Sequence, residues 1–132
     1  MTDATAANVL LVDDEADFSQ TLAKRLRRRG FQVVVAGNGH DGLAALDRAP
    51  ADVVLLDVRM PGLDGIETLR EMKKRHPLTE VIMLTGHASV ESGLQGMALG
   101  AYDYVMKPAD LDELVEKLRK AHERKIINAR RG

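Results

Sequence analysis

Residues 53–57 read Val-Val-Leu-Leu-Asp, four apolar side chains followed by one carboxylate. A short, continuous apolar run of this kind is the pattern of a strand covered on both faces, as in a parallel sheet. Working outward from it, similar β-type runs occur at Val9–Val12, Phe31–Ala36, Val81–Leu84 and Tyr102–Met106. The last alternates less cleanly, because Asp103 interrupts it, and so belongs nearer an edge. The gaps carry helical periodicity. A first helix over about Glu15–Arg29 puts Phe18, Leu22 and Leu26 on one face and stops at Gly30. A second, about Gly39–Arg48, turns Leu43, Ala44 and Leu46 inward, with Asn38 as its cap and Pro50 beyond it. A third follows the turn dipeptide Pro61-Gly62, with Asp64 as N-cap and Ile66, Leu69 and Met72 inward, and ends near His76-Pro77. A fourth, about Ser89–Leu99, contains Gly93 and Gly96; a fifth runs from about Leu111 towards Arg130 with Leu114, Val115, Leu118 and Ala121 on one stripe.

Strands alternating with helices at this spacing make parallel β-α-β units. Their crossovers are right-handed, so every strand's C-terminus points to one rim of the sheet, where such folds bind ligands. Directly after the first run stand Asp13, Asp14 and Glu15; after the third, Asp57; after the fourth, Thr85; after the fifth, Lys107. One Asp at a strand end is ordinarily a helix cap or a loop carboxylate. Four matching residue types at four strand ends are hard to obtain by chance. Two unit charges about 4 Å apart at an effective dielectric of about 20 repel by about 4 kcal/mol. Several carboxylates gathered there therefore need a cation. Lys107 supplies one charge, and a magnesium ion suits a site of carboxylates, water and a phosphoryl oxygen. Asp57, with no acidic neighbour in the chain, is placed as a phosphoryl acceptor. Thr85 and Lys107 are placed to stabilise the transferring group.

Composition narrows the alternatives. The 132 residues are 45% hydrophobic and 30% charged, with a net charge of -1, which fits one folded domain rather than a disordered chain. With no cysteine, a disulfide framework, a thiolate metal site and a cysteine nucleophile are all excluded. Phe18, Phe31, Tyr102 and Tyr104 are too few aromatics for a base-stacking platform, so direct nucleic-acid binding is not expected. His40, His76, His87 and His122 are scattered away from helical zinc spacing. The longest apolar runs fall far short of about 20 residues, so no membrane span is expected. With no export signal in MTDATAAN, the expected location is cytoplasmic.

The segments VLLVDDE, VVLLDVRMPGLDG, VIMLTGH and GAYDYVMKP, in this order and at these spacings, resemble the receiver domain of bacterial two-component response regulators. The resemblance covers about Asn8 to His122 and treats residues 1–132 as one receiver, its last helix reaching about Arg130. It implies a flavodoxin-like, doubly wound α/β fold: five parallel strands in the order 2-1-3-4-5, with five helices. It also implies that Asp57 accepts a phosphoryl group from a sensor histidine kinase or a histidine phosphotransfer protein, in a magnesium-dependent and self-catalysed reaction. Asp13, Asp14 and Asp57, with the backbone carbonyl of Arg59, are then the Mg2+ ligands. Thr85 is the switch hydroxyl, Lys107 the phosphate-pairing amine, Tyr104 the aromatic switch, and Lys107-Pro108 a cis peptide. The surface of the fourth helix, fifth strand and fifth helix is the output face for an output domain or target protein, and a homodimer through it is admitted. Ala109 departs from the aromatic often found after Lys-Pro. Arg59 and His87, two residues beyond Asp57 and Thr85, are read as tuning dephosphorylation.

Two basic runs, Lys24–Arg29 and Arg124–Arg131, read first as solvated helix faces; the first also borders the rim where a kinase would dock. Competing classes fare worse. An aspartate-nucleophile phosphohydrolase needs a general acid where Arg59 stands. A flavin module needs a hydroxyl- and glycine-rich loop where Asp13, Asp14 and Glu15 stand. An interaction domain that has lost phosphorylation would not need this set of residues.

Overall fold

The computed structural model describes residues 7–58, 65–86 and 90–131. Its elements alternate strictly: β1 (Asn8–Val12), α1 (Ala16–Arg28), β2 (Gln32–Ala36), α2 (Gly39–Arg48), β3 (Val53–Asp57), α3 (Gly65–Arg75), β4 (Glu80–Thr85), α4 (Val90–Ala98), β5 (Asp103–Met106) and α5 (Leu111–Arg131). The five strands form one parallel sheet in the order β2-β1-β3-β4-β5. The doubly wound α/β expectation holds.

The continuous apolar runs sort by parity onto the two faces. Val9, Leu11, Val53, Leu55, Ile82 and Leu84 meet α1 and α5, while Leu10, Val12, Val54, Leu56, Val81 and Met83 meet the other face with α2 and α3. This is the period-two alternation of a strand, hidden in the sequence because both faces are apolar. β2 is the exception. It lies at the sheet edge with Gln32 and Val34 turned outward, Val34 59% exposed, so its apolar run does not mean burial on both faces.

Helix ends follow local chemistry. Asn38 Oδ1 accepts the Asp41 N–H at 2.8 Å and caps α2. Gly30 (φ 96°) ends α1: Phe31 N–H reaches Leu26 O and Gly30 N–H reaches Arg27 O, the paired bonds of a Schellman closure. Gly100 (φ 106°) closes α4 in the same way onto Gly96 and Met97. One packing expectation needs correction. Ala44 is exposed, because α2 turns Gly42, Leu43 and Leu46 inward; a Cβ at Gly42 would meet Val12 Cγ2 at 2.8 Å. Phe18 and Ile66 are half-buried at the rims of their faces, and Ser19 and Thr68 occupy the buried positions beside them. The proposed turn Pro61-Gly62 and cap Asp64 lie outside the described residues.

Register sets the functional rim. Val12 pairs with Leu56, Asp57 with Leu84, and Thr85 with Met106, so the strand ends finish nearly level. Backbone bonds carry the alignment one residue further: Asp13 N–H to Ala36 O, Val58 N–H to Leu84 O, and Lys107 N–H to Thr85 O.

The opposite rim is closed by paired charges. Asp52 accepts the Asn8 N–H at 2.8 Å and a hydrogen bond from Lys125 at 2.8 Å. Burial opposes its ionisation, but these partners and His122 still hold its carboxyl below the usual range. Buried Glu80 lies 3.9 Å from Lys73 and 3.4 Å from Arg124, which itself packs over Tyr102.

α3 starts hard against the rim: a Cβ on Gly65 would sit 2.5 Å from Val58 Cα and 2.6 Å from Asp57 O. The obstructing atoms are backbone and cannot rotate away. Gly65→Ala is therefore expected to destabilise the chain by about 1–3 kcal/mol, read as a lower urea midpoint.

Candidate phosphoacceptor and metal site

Each chemical side chain arrives from a different strand end. Asp13 and Asp14 follow β1, Asp57 ends β3, Thr85 ends β4, and Lys107 follows β5. Asp13 is 1% exposed and Asp57 4%, whereas Asp14 is exposed. One carboxylate oxygen from each of the three lies within 4.8 Å of the others. The sheet thus brings together groups that repel in water and holds two of them out of it.

Lys107 is the counter-charge. Its Nζ lies 2.8 Å from Asp13 Oδ2, 2.6 Å from Glu15 Oε1 and 3.5 Å from Asp57 Oδ2. The contact to Asp13 Oδ2 is an ion pair lying off the hydrogen-bonding direction. Phe18 covers the ammonium, with its ring centroid 4.4 Å from Nζ. Burial disfavours the lysine's charge, but the contacts with Asp13 and Glu15 and the charge of Asp57 outweigh it and raise its pKa above the ordinary value. Lys107 in turn holds the Glu15 carboxyl below its usual range. The Lys107–Pro108 peptide bond is cis.

Local chain geometry supports the cluster. Glu15 occupies the N-cap of α1 but makes no side-chain cap bond. Instead Asp13 Oδ1 accepts the Glu15 N–H at 2.8 Å, which leaves the Glu15 side chain for Lys107. Thr85 is 1% exposed, and its Oγ1 has no hydrogen-bond partner among the described residues. A buried hydroxyl left in this way costs free energy until a partner arrives. It stands beside an acidic cluster that itself lacks full charge balance. Three converging carboxylates, an ammonium and an orphaned hydroxyl fit a hard divalent cation together with an oxyanion carrying a phosphoryl group. Tyr104 is half-buried and packs against the face that carries α2 and α3.

The site therefore gathers Asp13, Asp14, Asp57, Thr85 and Lys107; it shows Glu15 of the acidic run as a neighbour of Lys107 and adds Phe18, which the sequence did not single out. Glu15 stood within the acidic run, but only the fold shows which neighbour it meets. Phe18 read as core because it shares helical spacing with Leu22 and Leu26. Arg59 and His87 lie outside the described residues.

The family model for the response regulator receiver domain matches residues 9–119. The chain belongs to that family. Among its relatives, the Regulatory protein AtoC of Escherichia coli is 43% identical over 83% of this chain and 24% of its own length. The Transcriptional regulatory protein ZraR of Salmonella typhimurium is 41% identical over 86% of the chain and 26% of its own. The chain thus spans about a quarter of the length of each. Among solved structures, the receiver domain of NtrX from Brucella abortus superposes with a TM-score of 0.84 at 35% identity, covering 87% of this chain and 98% of that one. NtrX in complex with ADP gives 0.90 at 34%, covering 95% of this chain and 29% of that one. This receiver is thus of the kind found in NtrC-like regulators, and receivers are signalling domains. No helix among its described residues is long and apolar enough to cross a membrane.

The orphaned hydroxyl gives a direct test in the metal-free chain. Thr85→Val removes a hydroxyl that has no hydrogen bond among the described residues, so its unfolding free energy should stay within about 0.5 kcal/mol of wild type or rise. Thr79 Oγ1 donates to Ala51 O at 2.9 Å in the interior, so Thr79→Val should cost about 1–3 kcal/mol. Urea titration of both variants compares them on one scale.

Proposed function

We propose that this receiver takes a phosphoryl group from the phosphohistidine of a sensor histidine kinase or a histidine phosphotransfer protein onto Asp57. A carboxylate oxygen of Asp57 attacks phosphorus, the bond from phosphorus to the histidine nitrogen breaks, and the imidazole leaves with the electron pair and takes up a proton. The product is an acyl phosphate, which water hydrolyses to reset the signal. The observation that carries this reading is the meeting of Asp13, Asp14 and Asp57 within 4.8 Å, beside Lys107 and a Thr85 hydroxyl with no partner among the described residues.

Asp13, Asp14 and Asp57, with the backbone carbonyl of Arg59, would hold a magnesium ion. That ion, when bound, supplies positive charge against the phosphoryl oxygens. The remaining work belongs to the chain. Asp57 is fixed at the end of a central strand, so its approach to phosphorus is oriented beforehand. Lys107 pairs with one phosphoryl oxygen and the Thr85 hydroxyl donates to another. Thr85 is drawn towards Asp57 as it does so, and Tyr104 turns into the space left behind. Phosphorylation adds up to about two negative charges, and this biases the surface of α4, β5 and α5 that an output domain, a target protein or a second copy reads. The exposed Leu94, Met97 and Met106 on that surface suit such a contact. The kinase docks at the rim of α1, near Phe18 and Ala109. Arg59 and His87 set the rate of water attack, so changing either to Ala alters dephosphorylation. The domain works in the cytoplasm, catalyses only its own phosphotransfer and dephosphorylation, and comprises residues 1–132 as one unit.

Incubation with acetyl phosphate and magnesium should add one phosphoryl group by intact mass, absent in Asp57→Asn and after chelation of the metal. Magnesium should also raise the melting temperature. At about ten times its dissociation constant the stabilisation is about 1.4 kcal/mol, and Asp14→Ala should remove most of it. Phosphorylation of the Asp57→Asn chain at wild-type level would overturn the assignment.

A further inference from the structure

Lys107 sits closer to Glu15 than to Asp57. Its ammonium donates a hydrogen bond to Glu15 Oε1 at 2.6 Å, while Asp57 Oδ2 lies at 3.5 Å, too long for a good hydrogen bond. The partners that hold it differ in what they can give up. The Asp13 side chain is fully buried, and releasing Lys107 would leave its carboxylate short of a counter-charge. The Glu15 side chain is 64% exposed, so on release its carboxylate passes into water at little cost. Phe18 lies under the ammonium at 4.4 Å, and the face of an aromatic ring attracts a cation without a fixed direction, so Nζ can shift across it.

We propose that Glu15 is a displaceable latch: it draws the Lys107 ammonium to itself, leaving only the longer contact to Asp57 in the unphosphorylated domain, and competes with the phosphoryl group for the ammonium. The inference rests on the phosphoacceptor reading and adds to it a positioning residue that sets how readily the domain enters its phosphorylated state. The Glu15 carboxylate is outside the Asp13–Asp14–Asp57 cluster. It acts through Lys107. While Nζ stays hydrogen-bonded to Glu15 the phosphoryl oxygens share its charge with that carboxylate, so the latch weakens binding of any phosphoryl mimic. The competition is worth about one exposed ion pair, or about a threefold change in affinity.

Two variants separate contact from charge. Glu15→Gln removes the ion pair and the charge. Glu15→Asp keeps the charge but is one methylene too short to reach Lys107 from the same backbone position. Both sit on an exposed side chain and should leave folding unchanged. Beryllofluoride is titrated at saturating magnesium and followed by the Thr85 and Asp57 amide resonances. The latch predicts about threefold tighter binding in both variants. In the metal-free chain it also predicts that the Lys107 side-chain ammonium signal broadens or shifts in both. Wild-type affinity in both variants would overturn the latch. So would tighter binding in Glu15→Gln alone, since that is plain relief of charge repulsion. If the wild-type chain binds no beryllofluoride with magnesium present, the phosphoacceptor reading itself fails and takes the latch with it. Binding by wild type with no change in the variants rejects the latch only.

Discussion

Mutual repulsion among Asp13, Asp14 and Asp57 is the constraint around which the site is built. At spacings within 4.8 Å, each pair of charges costs on the order of 4 kcal/mol at an effective dielectric near 20. Asp13 and Asp14 are chain neighbours, but nothing local brings Asp57 to them: it ends β3, whereas they follow β1. The hydrophobic faces of β1 and β3 impose the meeting, because parallel pairing from Val9 with Val53 to Val12 with Leu56 leaves the next residues side by side. Core packing stabilises the fold, and part of that stability holds an unfavourable charge cluster in place. Lys107, brought in by β5, offsets one charge and leaves room for another cation.

The two rims of the sheet treat their polar groups differently. At the N-terminal rim every carboxylate turned inward has a matched partner. Asp52 has Asn8, Lys125 and His122; Glu80 has Lys73 and Arg124; and Thr79 donates to Ala51. These contacts tie α5 to the sheet and read as structural. At the C-terminal rim, among the described residues, Asp13, Asp14, Glu15 and Asp57 gather around Lys107, and the Thr85 hydroxyl has no partner. Polar groups left wanting in an otherwise satisfied interior are where a ligand gains most by binding.

Much of this was legible in the chain itself. The strand positions followed from short apolar runs, and the meeting of Asp13, Asp14, Asp57, Thr85 and Lys107 followed from the handedness of β-α-β connections. What escaped has physical causes. Ala44 and Gly42 are both small enough for either face of α2, so periodicity alone did not choose between them; the close approach of Val12 does. Val34 looked buried because an edge strand can be as apolar as a central one. Glu80 gave no sign of its burial, since its partners Lys73 and Arg124 lie on α3 and α5. Glu15 and Phe18 were visible as residues but not as neighbours of Lys107, because the loop before α1 fixes their direction. Side-chain partnerships across more than one element are the level at which reading the chain stops.

The central claim is that the C-terminal rim is a divalent-cation site centred on Asp57. Mn2+ binds the same oxygen donors as Mg2+ and broadens nearby nuclear resonances. The most direct measurement is therefore an Mn2+ titration of the isotopically labelled chain. The account predicts broadening that starts at the amides of Asp13, Asp14, Asp57 and Val58, is reversed by competing Mg2+, and spares Asp52 and Glu80 at the other rim. Broadening centred on Asp52 and Glu80, or none at the C-terminal rim at millimolar metal, would contradict it.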